Sequence, residues 1–379
     1  MPPLKHSLLG ASSANRWIHC PPSARLGENF ENKSSEYAAQ GTDAHSLCEY
    51  KLRKLLGENP TYPELQYYDE EMEDCANAYA TFVMEELAKV KETTSDPVVI
   101  IEQRLDYSKY VPEGFGTADG VLIADGTMSI FDYKHGSGIV VDAYENPQMM
   151  CYALGAIEIF DGIYDIKKVK MTIFQPRREN ISTYERTKEE LINWAEATLK
   201  PKAELAYKGE GEFACGYWCR WCLAKKTCRA RAEYNLSIAK HEFKLPKLLS
   251  DSEIEEVLSK LDDLVSWSND VKDYALKQAL SGKKWSRFKL VNGRSVRKYS
   301  DEEQVATVVT DAGFDPYEKK LLGITAMTKA LGKKKFEEIL GALIDKPAGK
   351  LTLVSNDDKR QAVEVEQAEN EFHNITEEN

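Results

Sequence analysis

The chain has 379 residues, 42% hydrophobic and 30% charged, with a formal net charge of −12. That length can bury one large core or two smaller ones, and the composition is that of a soluble globular protein. The acidic balance argues against sequence-wide affinity for nucleic acid but leaves room for a local basic channel. No apolar run approaches the roughly 18–20 residues of a membrane span, and the first residues lack a signal peptide's charged start and apolar middle. The expectation is a cytoplasmic protein without membrane contact.

Residues 12–26 form a compact start in which Cys20 precedes two prolines. Apolar and small residues recur at helical spacing from Glu36 to Leu56, with His45 inside that helix, and residues 69–91 read as a second helix. The β-branched run 96–108 predicts a strand. It leads into a hairpin over 117–134 whose turn is Ala124–Asp125–Gly126–Thr127, since Asp-Gly favours the tight turn. A loop, a short strand over 138–143 and a helix over 145–160 follow. A strand over 168–175 then precedes Arg177–Arg178, and a helix over 187–207 leads into the cysteines. The pattern predicts an α/β core over 1–236, a mixed sheet flanked by helices.

A Lys- and Pro-containing connector spans 237–250, and an amphipathic helix is expected over 252–280. Residues 272–298 hold nine Lys or Arg against one acid, and Trp285, Phe288 and Tyr299 are interleaved with them. That mixture suits phosphate contact and stacking, and equally an edge strand protected by charge. Helices around 301–312 and 324–343 complete a mainly helical module over 251–355. The tail over 356–379 is acidic and expected to be disordered.

The hairpin carries the chemistry. Asp132 and Lys134 lie two apart, so on a strand they share a face, and Asp119 on the neighbouring arm can reach the same cation. Phosphodiester hydrolysis needs an activated water and a stabilised anionic phosphorane, which Mg²⁺ or Mn²⁺ on carboxylates provides. A lysine beside the attacking water adds a point charge. The backbone carbonyl of Tyr133 is a further candidate ligand. Gln148 and Tyr152 lie one turn apart and place an amide and a phenol on one helical face. Glu102 is either another carboxylate of the site or a solvent-facing strand acid.

Cys219, Cys222 and Cys228 stand at C-x2-C-x5-C, a spacing that wraps one metal centre with a fourth ligand from elsewhere. Cys20 is the favoured fourth ligand, with Cys215 the alternative. Zinc fits the same ligands. Cys48, Cys75 and Cys151 read as buried apolar residues, and His19 as a bystander. Arg220, Lys225, Lys226, Arg229 and Arg231 line either a DNA path or a solvated surface.

GTDAH, then D-x12-D-Y-K, then Q-M-M-C-Y, in this order, resemble the RecB-like branch of the PD-(D/E)XK nuclease superfamily. The resemblance covers about residues 12–232 and implies a restriction-endonuclease-like fold. It implies metal ligation by His45, Asp119 and Asp132, catalysis by Lys134, and DNA contact by Gln148 and Tyr152. One cysteine before the core and three after it resemble the AddB and CRISPR-associated members, which implies a 4Fe-4S cluster on Cys20, Cys219, Cys222 and Cys228. The whole architecture, with SANRWIHCPPSARL at one end and FKLVNGRSVRKYSDEE in the second module, also resembles a family of phage and prophage proteins. That likeness implies a role in phage DNA replication or recombination within a bacterial host cell. A single-strand-binding or annealing protein is a further expected partner.

The leading expectation is therefore a metal-dependent DNA exonuclease. The alternatives are a non-catalytic DNA-binding recombination partner on a nuclease scaffold, and a factor whose cluster senses iron or oxidation.

Overall fold

A computed structural model describes residues 7–30, 36–94, 96–124, 126–237, 250–292, 299–317, 321–345, 353–354 and 361. The chain divides into two compact units, Met1–Ser281 and Gly282–Asn379.

The first unit is built on a mixed five-stranded sheet in the order β1-β2-β3-β4-β5. Its strands are β1 (Val98–Asp106), β2 (Phe115–Ala124), β3 (Thr127–Tyr133), β4 (Lys168–Gln175) and β5 (Asn180–Thr187). Neighbours are antiparallel except β3 and β4, whose parallel pairing is made through the crossover helix α5 (Pro147–Tyr164). The fold is thus α/β. The hairpin closes at Ala124↔Thr127 with Gly126 at φ 76°, a conformation glycine adopts without steric cost, while Asp125 lies outside the described residues.

Strand alternation sorts apolar side chains onto two faces. Val121, Ile123, Met128, Ile130, Met171 and Ile173 join α5 and the short helices α1 (Ala14–His19), whose Trp17 is fully buried, and α2 (Ser23–Gly27). Leu122, Phe131, Tyr133 and Phe174 meet α3 (Glu36–Leu55) and α4 (Glu70–Lys91) on the other face. Two cores on opposite sides of one sheet follow from the period-two pattern of its strands.

Residues 138–143 differ from expectation, because they form no strand. Side chains at the β4–β5 turn satisfy this backbone in place of a ladder. Val141 N–H donates to Gln175 Oε1 at 3.0 Å, Gln175 Nε2 donates to Gly136 and Ile139 carbonyls at 2.7 Å, and Asn180 Nδ2 donates to Val141 O at 2.9 Å. The strand β5 was not expected; its alternation of half-buried and exposed residues marks a sheet edge.

After β5 the chain runs through α6 (Lys188–Trp194), a π-helical turn (Ala195–Leu199) and α7 (Lys200–Lys208). A 3₁₀ helix (Tyr217–Trp221) and α8 (Arg229–Ser237) carry the cysteine region. The long helix α9 (Asp251–Leu280) belongs to this first unit rather than to the C-terminal module. The reason is electrostatic. Asp270 on α9 lies 2.6 Å from the buried Arg231 of α8 and 3.3 Å from Lys225. Of the expected connector 237–250, residues 238–249 lie outside the described residues.

The second unit contains α10 (Glu302–Asp311), α11 (Ile324–Leu331) and α12 (Lys333–Leu340). Residues 285–292 of the strand-like basic run are irregular, and Lys283 Nζ sits 4.3 Å from the Trp285 ring centre. Residues 293–298, and the acidic tail over 356–379 apart from Gln361, lie outside the described residues.

Candidate metal centre

β2 and β3 pair from Ala124↔Thr127 to Gly120↔Phe131 and then part. At this fork Tyr133 N–H donates to Asp119 Oδ2 at 2.6 Å, so a carboxylate stands where the next ladder acceptor would be. β3 stays paired with β4, and Lys134 N–H donates to Phe174 O at 2.9 Å. Those bonds fix the backbone of Asp132, Tyr133 and Lys134.

The alternation of both outer partners breaks beside the fork. On β1, Ile101 faces α3 and α4, and the next residue, Glu102, turns to the same side with φ 53°. On β2, Asp119 reaches His45 of α3 while the next residue, Gly120, faces Tyr79 of α4. Ala118 and Val121 return to the α5 face. A left-handed glutamate is an uncommon backbone state that surrounding structure must hold in place. Its effect is to bring two acids, opposite each other in register, to one face.

His45 Nδ1 lies 2.8 Å from Asp119 Oδ1. His45, Glu102 and Asp119 each offer an atom within 4.8 Å of the others, and this is the one such trio among the described residues. Asp132 approaches from the α5 face. Gln148 Nε2 donates to Asp132 Oδ1 at 2.9 Å and to Tyr152 OH at 3.1 Å, and Lys134 Nζ donates to Gln148 Oε1 at 3.2 Å. Lys134 Nζ also pairs with Asp132 Oδ2 at 2.9 Å. Gln148 occupies the first turn of α5 because Asn146 caps it, accepting from Gln148 and Met149 N–H ahead of Pro147.

The charges strain one another. Burial and then Asp119 push the Glu102 carboxyl up to about 7. Burial raises Asp132 as well, with Lys134 pulling it back. Burial works against a charged His45, but Asp119 outweighs it and the imidazole is raised. Three groups that hold protons more tightly than usual mark a place short of positive charge.

The donors fit a hard divalent cation, being carboxylates and an imidazole. Asp132 Oδ2 strengthens the fit, since it is buried and accepts no hydrogen bond of proper geometry; Lys134 is its close charged neighbour. For Tyr133 the backbone contact seen is its N–H to Asp119, while its phenol meets His135 Nδ1 at 2.8 Å. Tyr152 is 5% exposed and reaches the site through Gln148, not through an open surface. Gly116 makes its room, because a Cβ there would meet the Tyr152 ring at 2.6 Å.

Cys20, Cys215, Cys219, Cys222 and Cys228 line one cavity, with Arg16 and Arg231 in its wall. Cys20 is tied to the distant cysteines by a stack of His19 on Trp218, 4.2 Å between ring centres. Backbone N–H groups of Ala214 and Ser23 point at the Cys20 sulfur, and those of Gly216 and Ala224 at Cys219 and Cys222. Cys215 differs, since its sulfur lies 3.8 Å from Cys219 Sγ, a contact that pulls the Cys219 thiol down to about 6. Among the described residues no three cysteine sulfurs lie within 4.8 Å of one another.

Fold and site together define an α/β protein with a carboxylate–histidine–lysine constellation at a strand fork. The chain belongs to the family described as "Protein of unknown function (DUF2800)", whose model matches residues 6–361. Among solved structures it is similar to "Crystal structure of SSO0001", at 13% identity over 57% of this chain and 96% of that one, with a TM-score of 0.21.

Sequence reasoning left Glu102 undecided. Counting register back from Asp119 finds it, because Ile101↔Gly120 and Gln103↔Ala118 put Glu102 opposite that acid. Asp270 carried no signal in sequence, since its partner Arg231 is 39 residues away.

Proposed function

We propose that this chain is a divalent-cation-dependent deoxyribonuclease, an exonuclease of phage DNA replication or recombination. The observation that carries the reading is the fork, where Asp119, His45 and Glu102 arrive from one face of the sheet and Asp132, Lys134 and Gln148 from the other.

His45, Asp119 and Asp132 would hold Mg²⁺ or Mn²⁺, with Glu102 beside them. When bound, such a cation supplies Lewis-acid stabilisation of the phosphoryl oxygens and a more acidic water. Lys134 offers a positive charge to the phosphoryl group and to the water that attacks it. Gln148 sets that lysine by accepting from its ammonium while donating to Asp132, so the pair keeps one geometry. Asp119 is fixed in turn by the Tyr133 N–H.

Cys20, Cys219, Cys222 and Cys228 would hold a 4Fe-4S cluster, supported by the backbone donors at three of these sulfurs and by the one cavity that all four line. A cluster there supplies a cross-link between residue 20 and the cysteine region, stabilising the core by restricting the unfolded chain. Zinc remains the competing assignment, and metal and sulfide analysis of anaerobically purified protein decides it.

The test of activity is cleavage of 5′- and 3′-labelled single- and double-stranded DNA with Mg²⁺ or Mn²⁺. Wild type should degrade DNA from an end, and Asp132→Ala and Lys134→Ala should be inactive while folded. Equal rates in all three proteins would refute the site. Salt-sensitive DNA binding without turnover in wild type would establish the binding-partner reading instead.

A further inference from the structure

The 3₁₀ helix Tyr217–Trp221 turns one aromatic ring inward and two outward. Trp218 lines the cysteine cavity, its Nε1 donating to Ala214 O at 3.0 Å. Tyr217 and Trp221 stay 50% and 57% exposed, beside an exposed Phe213. The rings form a braced series. His19 stacks on Trp218, Tyr217 meets Trp218 at 5.9 Å and 66°, and Trp221 meets Tyr217 at 5.8 Å and 87°. Asn15 of α1 donates to the Tyr217 hydroxyl and holds the series from behind.

The segment that carries these rings holds charge of one sign. Residues 213–232 contain five Lys or Arg and no acid, in a chain of net charge −12. Lys225 and Arg231 are committed to Asp270. Arg220 and Arg229 are exposed and Lys226 half-buried, and among the described residues none of the three pairs with a carboxylate.

Large rings gain about 1.5–3 kcal/mol each from burial, so an exposed pair, braced by neighbouring rings on a segment with three unpaired cations, calls for an occupant that is both flat and anionic. We propose that Tyr217 and Trp221, with Arg220, Lys226 and Arg229, form a stacking platform for single-stranded nucleic acid. Unpaired bases stack on the two rings while the cations neutralise adjacent phosphates. Duplex hides its base faces and meets only the cations. The platform goes beyond the cleavage reading, because it concerns binding at residues outside the strand fork.

The experiment uses the full chain in EDTA, where cleavage is silent, and a 5′-fluorescein oligothymidylate of about 16 nucleotides. Fluorescence anisotropy gives Kd for wild type, Trp221→Ala, Trp221→Phe, Tyr217→Ala and Arg220→Gln. Trp221→Ala should weaken binding about 5- to 150-fold, the loss of one stacked base, and Trp221→Phe should restore most of it. Arg220→Gln should lower the slope of log Kd against log salt by about one. Unlabelled single strand should compete better than duplex of the same length. Unchanged affinity in Trp221→Ala, with melting temperature and cysteine-site metal content intact, would overturn the platform. So would duplex competing as well as single strand, or an equal loss in Trp221→Phe. Because the readout is binding, an inactive strand fork leaves this outcome unaffected.

Discussion

Gln148 donates to Asp132 Oδ1 at 2.9 Å, so the first-turn amide of α5 belongs to the acid–lysine pair and not to open solvent. Gln148 also accepts from Lys134, which makes it the joint between the two residues of the D-x-K element.

Replacing that joint should therefore act on turnover more than on substrate affinity. Gln148→Ala is expected to lower kcat roughly a hundredfold, the scale of a small misplacement of a reacting group, with KM changed by less than about threefold. A KM effect that dominates would mean the amide contacts DNA directly.

Glu102, His45 and Asp132 all have raised pKa values, and the sign of each gives the same pH trend. A raised carboxyl keeps its proton in the folded state after the unfolded chain has lost it, so its contribution falls from pH 4.5 to about 7 for Glu102. A raised histidine contributes below 6.5 and loses that contribution as pH passes its folded value. Metal-free protein should melt at a higher temperature at pH 5 than at pH 8. Mn²⁺ should narrow the gap, and Glu102→Gln should flatten the part below pH 7. Calorimetric melts across that range with and without Mn²⁺ check it.

Gly116→Ala places a methyl group 2.6 Å from the buried Tyr152 ring. Overpacking of this kind costs about 1–3 kcal/mol. Chemical denaturation should show that loss, and Tyr152→Phe, which keeps the ring, should not relieve it.

Cys20 and Cys215 compete for one role, and their hydrogen bonds separate them. The backbone of Ala214 and Ser23 favours the Cys20 thiolate against its burial, whereas the Cys215 sulfur is paired with Cys219 Sγ at 3.8 Å. Cys20→Ala should lose the bound metal and lower the melting temperature, while Cys215→Ala should keep metal stoichiometry. Elemental analysis of both variants reads the difference.

Asp270 holds Arg231, whose side chain is only 4% exposed. Asp270→Ala leaves that guanidinium buried with only two uncharged acceptors, the Lys225 carbonyl at 3.1 Å and Ser266 Oγ at 3.5 Å. The expected loss is about 3 kcal/mol, the range for removing one partner of a buried pair. Urea unfolding of the full chain, followed through the first unit's transition, measures it.

Much of the first unit is legible in sequence because its signals are local. The Asp-Gly turn, the β-branched strands and the helix carrying His45 each announce themselves within a few residues. Asp132 and Lys134 follow from strand periodicity in the same way. Glu102 was harder, since a left-handed residue shifts the alternation and moves the acid to the face that a regular strand would deny it. Residues 138–143 misled for a related reason. Their β-branched content suits a strand, but Gln175 and Asn180 satisfy that backbone from a turn about 35 residues later. The place of α9 was likewise invisible, because amphipathic spacing marks a helix without naming its partner.

The first two helices take partners from almost the far end of the sheet domain as well as from α5. Trp17 packs in a core shared with α7, Arg25 donates to Tyr207 O at 2.7 Å, and Asn15 bonds Tyr217. A growing chain thus emerges from the ribosome with its first two helices unable to complete their contacts until Tyr217 has been made. The two ends of the domain fold as one late event, and contacts of such sequence separation form slowly. A deletion at either end should then free the other.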